Sequence, residues 1–154
     1  MHKHFAARVV SQEVAAVQSP GFPKKKAMPF VRIELPPAIA PEDASRIGNA
    51  VHEAMVETIA VPLDDKFQLI TQHPAGSIVC TPEYLGVKHT DRALFIQIFL
   101  APGRTLQQKR ALYAMVARDV SKAAHVSPSD VLISLVETLR ENWSFGDGIA
   151  HYTL

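Results

Sequence analysis

The sequence predicts an α+β fold, α/β within each unit: two β-α-β units in tandem, forming one four-stranded sheet with both helices on one face. Three observations carry this. From residue 29 onward a strand–helix–strand pattern occurs and then recurs. A gapless shift of 64 residues lays the first pattern on the second, taking 30–35 onto 94–99, 67–72 onto 131–136, Arg46 onto Arg110 and Ala50 onto Ala114. A crossover between parallel strands is right-handed, which puts the two helices on the same side of the sheet.

The elements follow in order. FVRIEL (30–35) is a short strand. Residues 40–60 are a helix: Pro41 suits its first turn, Glu42 and Asp43 stand near the positive end of its dipole, and Ile47, Val51, Ala54, Met55 and Ile59 recur at helical spacing. Val61-Pro62 ends it, because the residue before a proline is pushed out of the helical region. FQLITQ (67–72) is the second strand. Residues 73–91, with Pro74, Gly76, Pro82 and Gly86, are a loop that is expected to hold a short hairpin around 78–80. ALFIQIFL (93–100) is rich in β-favouring side chains. Thr105 caps a helix reaching His125, with Leu112, Met115, Val116, Val120 and Ala123 on one face. VLISLV (131–136) closes the second unit. The strands read as apolar on both sides, so the sheet face away from the helices is expected to be bare in a monomer and covered in a homo-oligomer.

Composition excludes several classes. Apolar residues make up 47 % and charged residues 20 % of 154, an ordinary globular balance. No window approaches 18 consecutive apolar residues, so no membrane helix is expected. The single cysteine, Cys80, cannot form an internal disulfide, and a reducing, cytoplasmic compartment is the expectation. Residues 1–28 carry Lys3, Arg8, Lys24, Lys25 and Lys26 against Glu13, a net of +4; residues 29–154 carry 11 basic and 14 acidic side chains, a net of −3. A mildly acidic body argues against a nucleic-acid partner.

Residues 1–28 differ from the rest. Pro20, Gly21 and Pro23 interrupt any regular element, and the apolar core of a secretory signal is missing. The segment reads as an organelle transit peptide, as a disordered extension, or, as we favour, as the product of a misplaced start. Lysine codons are purine-only, so Lys24–Lys26 encode a purine run where a ribosome-binding site for Met28 would lie. Initiation at Met28 and methionine removal would expose Pro29 as the first residue. On this division 1–28 is an extension and 29–154 is the folded domain.

The chain resembles the tautomerase superfamily. The residues responsible are Met28-Pro29, VPLDDKFQ (61–68), YLGVKHTD (84–91), PGRTLQQK (102–109) and NWSFGDG (142–148), and together they look most like the malonate semialdehyde decarboxylase branch. The resemblance implies a doubled β-α-β monomer, a homotrimer, an active site at each N-terminal proline and no cofactor. By the same resemblance Arg104 is the substrate-carboxylate clamp, Asp65 is the catalytic aspartate near the proline, and Trp143 and Phe145 form an apolar substrate-binding wall. Some decarboxylases of this branch carry a second arginine two positions before the clamp; here that position is Pro102.

The chemistry of these residues stands beside the resemblance. An N-terminal proline is a secondary amine, whereas the same nitrogen inside a chain is an amide. Unperturbed α-amino groups titrate at about 7.7–8.0, and an apolar pocket lowers that value. A neutral Pro29 amine is a base for keto–enol tautomerisation. A cationic one polarises the carbonyl of a 3-oxo acid for decarboxylation or hydration. The guanidinium of Arg104 matches a carboxylate with two parallel donors. The bland readings are a strand-opening proline, a solvated loop arginine and, for Asp64 and Asp65, turn acids. His52, mid-helix near the apolar face, reads as packed; His73, His89 and His151 have no metal-ligand spacing. The sequence therefore points to a cofactor-free enzyme acting on a small oxo-carboxylate. The alternative is a non-catalytic oligomer of the same fold that serves as a binding module.

Overall fold

The computed structural model describes residues 29–153; the reading of 1–28 as an extension lies outside them. Strand β1 (Phe30–Leu35) leads through a 3₁₀ turn at Pro41–Asp43 into α1 (Ala44–Ile59) and on to β2 (Phe67–Gln72). Two short strands, β3 (Glu83–Tyr84) and β4 (Val87–Lys88), interrupt the long connection. The second unit is β5 (Leu94–Leu100), α2 (Leu106–Ala124) and β6 (Val131–Glu137). The expected helix over 40–60 thus begins later, its first turn being 3₁₀, and the last strand runs one residue further than expected.

The main sheet has the order β2-β1-β5-β6. β1 pairs with β2 and β5 with β6 in parallel, while β1 and β5 meet antiparallel at the centre. The central register obeys the internal repeat: Arg32 faces Gln97 and Ile33 faces Ile96, and the 64-residue shift carries the first pair onto the second. The two units are therefore related by an approximate two-fold axis through the middle of the sheet.

The core lies between the sheet and the helices. Alternation along β1 and β5 sends Val31, Ile33, Leu35, Leu94, Ile96, Ile98 and Leu100 to that side, where all are buried. Ile47, Val51, Ala54, Met55 and Ile59 of α1 meet them, as do Leu112, Val116, Val120 and Ala124 of α2. Each such side chain contributes about 1.5–3 kcal/mol by leaving water. Met115 and Ala123, expected on the α2 core face, flank it half-buried. Thr105 and Gln108 form a reciprocal capping box at the start of α2. Both helices end on a left-handed residue that is not glycine, Ala60 and His125, each with φ 54°. Gly48 lets α1 approach β2: Gln68 Nε2 donates to its carbonyl at 2.7 Å, and a Cβ there would lie 2.6 Å from Gln68 Oε1.

Two expectations need correction. The hairpin in the 73–91 loop forms at 83–88, not around 78–80. It turns on Leu85 and Gly86, both with positive φ, the geometry that matches strand twist in a two-residue hairpin. The sheet face away from the helices is not apolar throughout. The register lines it with three rows: Phe67, Phe30, Phe99 and Val136; then Leu69, Arg32, Gln97 and Ser134; then Thr71, Glu34, Phe95 and Leu132. An aromatic row, with Phe30 and Phe99 ring centroids 5.8 Å apart, is thus followed by a polar stripe. There Arg32 pairs with Glu34 at 3.0 Å, and His73 Nε2 lies 2.7 Å from the same carboxylate. Phe67 and Leu69 are half exposed on this face.

Candidate active site

Strand direction gathers the singled-out residues at one end of the sheet. Pro29 is buried and immediately precedes β1. Phe30 is level with Phe67 on one side and Phe99 on the other, so Pro29 is flanked by the residue before β2 and by the last residue of β5. Asp65 lies two residues before Phe67, in the tight turn after α1. It is 8 % exposed, and its N–H donates to Pro62 O at 3.0 Å.

Arg104 follows β5 by four residues. Its Nη1 donates to Ala101 O at 2.6 Å, which ties the guanidinium back to the strand end. Partial burial, opposed by the Glu137 carboxylate and reinforced by the neighbouring Arg140 cation, holds the group below the ordinary arginine value. It nevertheless stays a cation in any medium the protein meets. Glu137 also binds Lys109 of α2 at 2.6 Å. The surroundings of Arg104 thus hold two further cations and one carboxylate, a field that favours an anionic ligand. Sequence reasoning missed Glu137, Lys109 and Arg140; their proximity comes from the parallel register, in which Leu100 faces Glu137.

Trp143 reaches this end through β6. Thr138 N–H donates to Leu100 O at 2.9 Å, and Trp143 Nε1 donates to Thr138 Oγ1 at 2.7 Å. Phe145 stacks on Trp143 with centroids 5.7 Å apart. It also meets Tyr152 edge-on at 5.1 Å and His151 at 5.9 Å. Trp143 and Phe145 thus belong to a four-ring cluster, two of whose members, His151 and Tyr152, sequence reasoning had not singled out for it. Gly146 and Gly148, both at positive φ, shape the turn that folds the segment back.

Pro29, Asp65, Arg104 and Trp143 therefore converge on one sheet end from four separate stretches of chain. Two cavities of about 340 and 300 Å³ lie toward the other end, around Cys80 and His89 and around Glu34 and His73. Neither is lined by a residue of the convergent set. Among the described residues no group of three or more His, Cys, Asp or Glu could hold a metal ion. No described helix is long and apolar enough to cross a membrane.

This is a doubled β-α-β fold with its candidate site residues at a single end of the sheet, and comparison with known proteins gives it a family. Two family profiles match, each described as tautomerase enzyme, one over residues 29–88 and the other over 65–146. The chain belongs to the tautomerase superfamily of enzymes. It is 37 % identical over 123 residues to a probable tautomerase of Bacillus subtilis (strain 168), YusQ, covering 80 % of this chain and 97 % of that one. Among solved structures it is similar to the FG41 malonate semialdehyde decarboxylase inhibited by 3-bromopropiolate, with TM-score 0.74, 33 % identity and coverage of 80 % and 94 %. A second malonate semialdehyde decarboxylase, whose structures address decarboxylase and hydratase activities, matches with TM-score 0.71 and 27 % identity over 80 % and 95 % of the two chains. The symmetric trimer of a wild-type fused 4-OT shares the fold at TM-score 0.66 and 18 % identity, over 80 % and 98 %.

Proposed function

We propose that this protein is a cofactor-free enzyme that uses the secondary amine of Pro29, exposed by processing, on a small oxo-carboxylate. The observation that carries the reading is the convergence of Pro29, Asp65 and Arg104 on one sheet end, in an electropositive setting. The match of one family profile from residue 29 also supports it. Arg104 takes the substrate carboxylate in its fork. In tautomerisation, neutral Pro29 removes the enol hydroxyl proton and the resulting ammonium returns a proton to carbon. In decarboxylation, cationic Pro29 donates to the 3-oxo oxygen while Asp65 accepts a hydrogen bond from that ammonium; the C–C bond electrons form the enol, whose oxygen takes the Pro29 proton as carbon dioxide leaves, and the enol then takes a proton from solvent at carbon. Trp143 and Phe145 keep the site apolar, and so set which protonation state of the amine prevails. Similarity to the two decarboxylases supports the second chemistry. The aromatic row on the sheet face away from the helices supports a homotrimer, which removes those phenyl rings from water, and the single free cysteine fits a cytoplasmic setting.

The test compares a full-length chain with one beginning at Pro29, assayed on phenylpyruvate enol and malonate semialdehyde. Turnover by the Pro29-first chain and its loss in Pro29→Ala are expected. Titration of the proline amine then assigns the chemistry: a value well below neutral means tautomerase, one well above means decarboxylase or hydratase. Equal activity of the full-length chain, with intact mass showing residues 1–28 still attached, overturns the mechanism. Inactivity of both chains leaves the binding module as the function.

A further inference from the structure

Histidine 52 lies on the core side of α1 and is 4 % exposed. Its Nε2 is 2.9 Å from the carbonyl oxygen of Leu63. A carbonyl only accepts, so Nε2 carries the proton and donates it. Nδ1 is buried without a hydrogen-bond partner. An imidazole placed in a core for packing alone is a poor choice, since burying an unpaired ring nitrogen costs free energy that a leucine would not.

The far end of this bond explains its presence. Leu63 is the middle of the 60–65 turn. The turn leaves α1 at left-handed Ala60, and its first part is anchored by the Val61 N–H, which donates to Met55 O at 3.3 Å, and by the buried Val61 side chain. Leu63 itself is 76 % exposed, so side-chain packing does not hold the middle of the turn. Two residues later comes Asp65, whose N–H reaches back to Pro62 O.

We propose that His52 is a positioning residue for Asp65. Its imidazole, mounted on a packed helix, fixes the Leu63 carbonyl and thereby the height at which the Asp65 carboxylate stands beside Pro29. The inference rests on the reading of Asp65 as a functional group. A displacement of about 1 Å in such a group costs on the order of 100-fold in rate, so a bond that fixes the middle of the turn bears directly on it.

The test uses whichever form of the chain, full-length or Pro29-first, turns over the oxo acid. His52→Leu removes the donor, His52→Asn keeps an amide too short to reach Leu63, and His52→Gln restores an N–H near the Nε2 position. The expected result is a fall in kcat of roughly 10-fold or more for Leu and Asn, with KM little changed and Gln within a few-fold of the parent. In an Asp65→Asn background the same changes are expected to cost nothing further, because the group they position is already gone. If Leu does not fold, as thermal unfolding shows, the Asn–Gln pair carries the comparison. Parental kcat in His52→Asn, or losses that multiply with that of Asp65→Asn, overturns the proposal. Parental turnover by Asp65→Asn alone instead refutes the role given to Asp65 itself.

Discussion

Arg104→Ala separates two jobs of one guanidinium, one seen in the structure and one proposed for it. The first is local. Nη1 donates at 2.6 Å to Ala101 O, and Ala101 is 5 % exposed, so truncation leaves a buried carbonyl short of a donor. That costs about 1–3 kcal/mol of stability. The second is the proposed hold on the substrate carboxylate by the remaining donors. Hydrogen bonds to charged groups contribute about 1.5–3 kcal/mol each, so a two-donor fork contributes about 3–6 kcal/mol. At about 1.4 kcal/mol per decade, kcat/KM is expected to fall by roughly 10²- to 10⁴-fold. Arg104→Lys keeps the charge but not the fork, and is expected to recover only part of the loss. Initial rates on malonate semialdehyde, with urea unfolding of the same samples, read the two jobs separately. A kcat/KM within three-fold of the parent in Arg104→Ala refutes the clamp, and an Arg104→Lys enzyme equal to the parent refutes the fork.

Two further outcomes follow from the side-chain geometry. Partial burial raises the Glu34 carboxyl, but the His73 hydrogen bond and the Arg32 guanidinium outweigh it and hold the group below its ordinary value of 4.5. A carboxyl lowered by folding stabilises the fold above its unfolded value, and that stability disappears as pH falls. The melting-temperature gap between the parent and Glu34→Gln is therefore expected to be full near neutrality and to close below about pH 4.5; a gap that widens on acidification refutes this. Trp143→Phe retains a ring against Phe145 but deletes the indole donor to Thr138 Oγ1. A loss of about 0.5–1.5 kcal/mol in urea unfolding is expected, and an unchanged midpoint would show that the bond contributes nothing.

The helices and main strands were legible because each has a period long enough to count. Ile47, Val51 and Met55 mark a helix face; Val31, Ile33 and Leu35 mark a strand face. The 64-residue shift was legible for the same reason, and the sheet register later obeyed it. The β3–β4 hairpin was not, because two-residue strands have no period and Leu85 gives no hint of a left-handed backbone. The polar stripe was hidden as well. Arg32, Glu34, Gln97 and Ser134 are scattered in the sequence and become neighbours only through the ladder. At the candidate site, Pro29, Asp65 and Arg104 could be named from local motifs. Glu137, Lys109 and Arg140 could not, since their meeting depends on how β5 and β6 align. His52 was visible as buried, but its bond to Leu63 requires knowing how the chain turns after Ala60.

The approximate two-fold axis means that the sheet has two geometrically equivalent ends, and they have met different fates. The counterpart of Pro29 is Ala93, that of Asp65 is Ser129, and that of Arg104 is Ala40. Ala93 can never be an amine: it sits mid-chain, and its amide N–H donates to Thr90 O at 3.2 Å. Beside Ser129, the buried Asp130 accepts from both the N–H and the hydroxyl of Thr90, at 2.7 and 2.8 Å. On the reading of Pro29 as a processed amine, the first end needs a chain terminus, which an internal repeat cannot supply twice. On the same reading the second end lacks that chemistry, and its acid serves as a fastening.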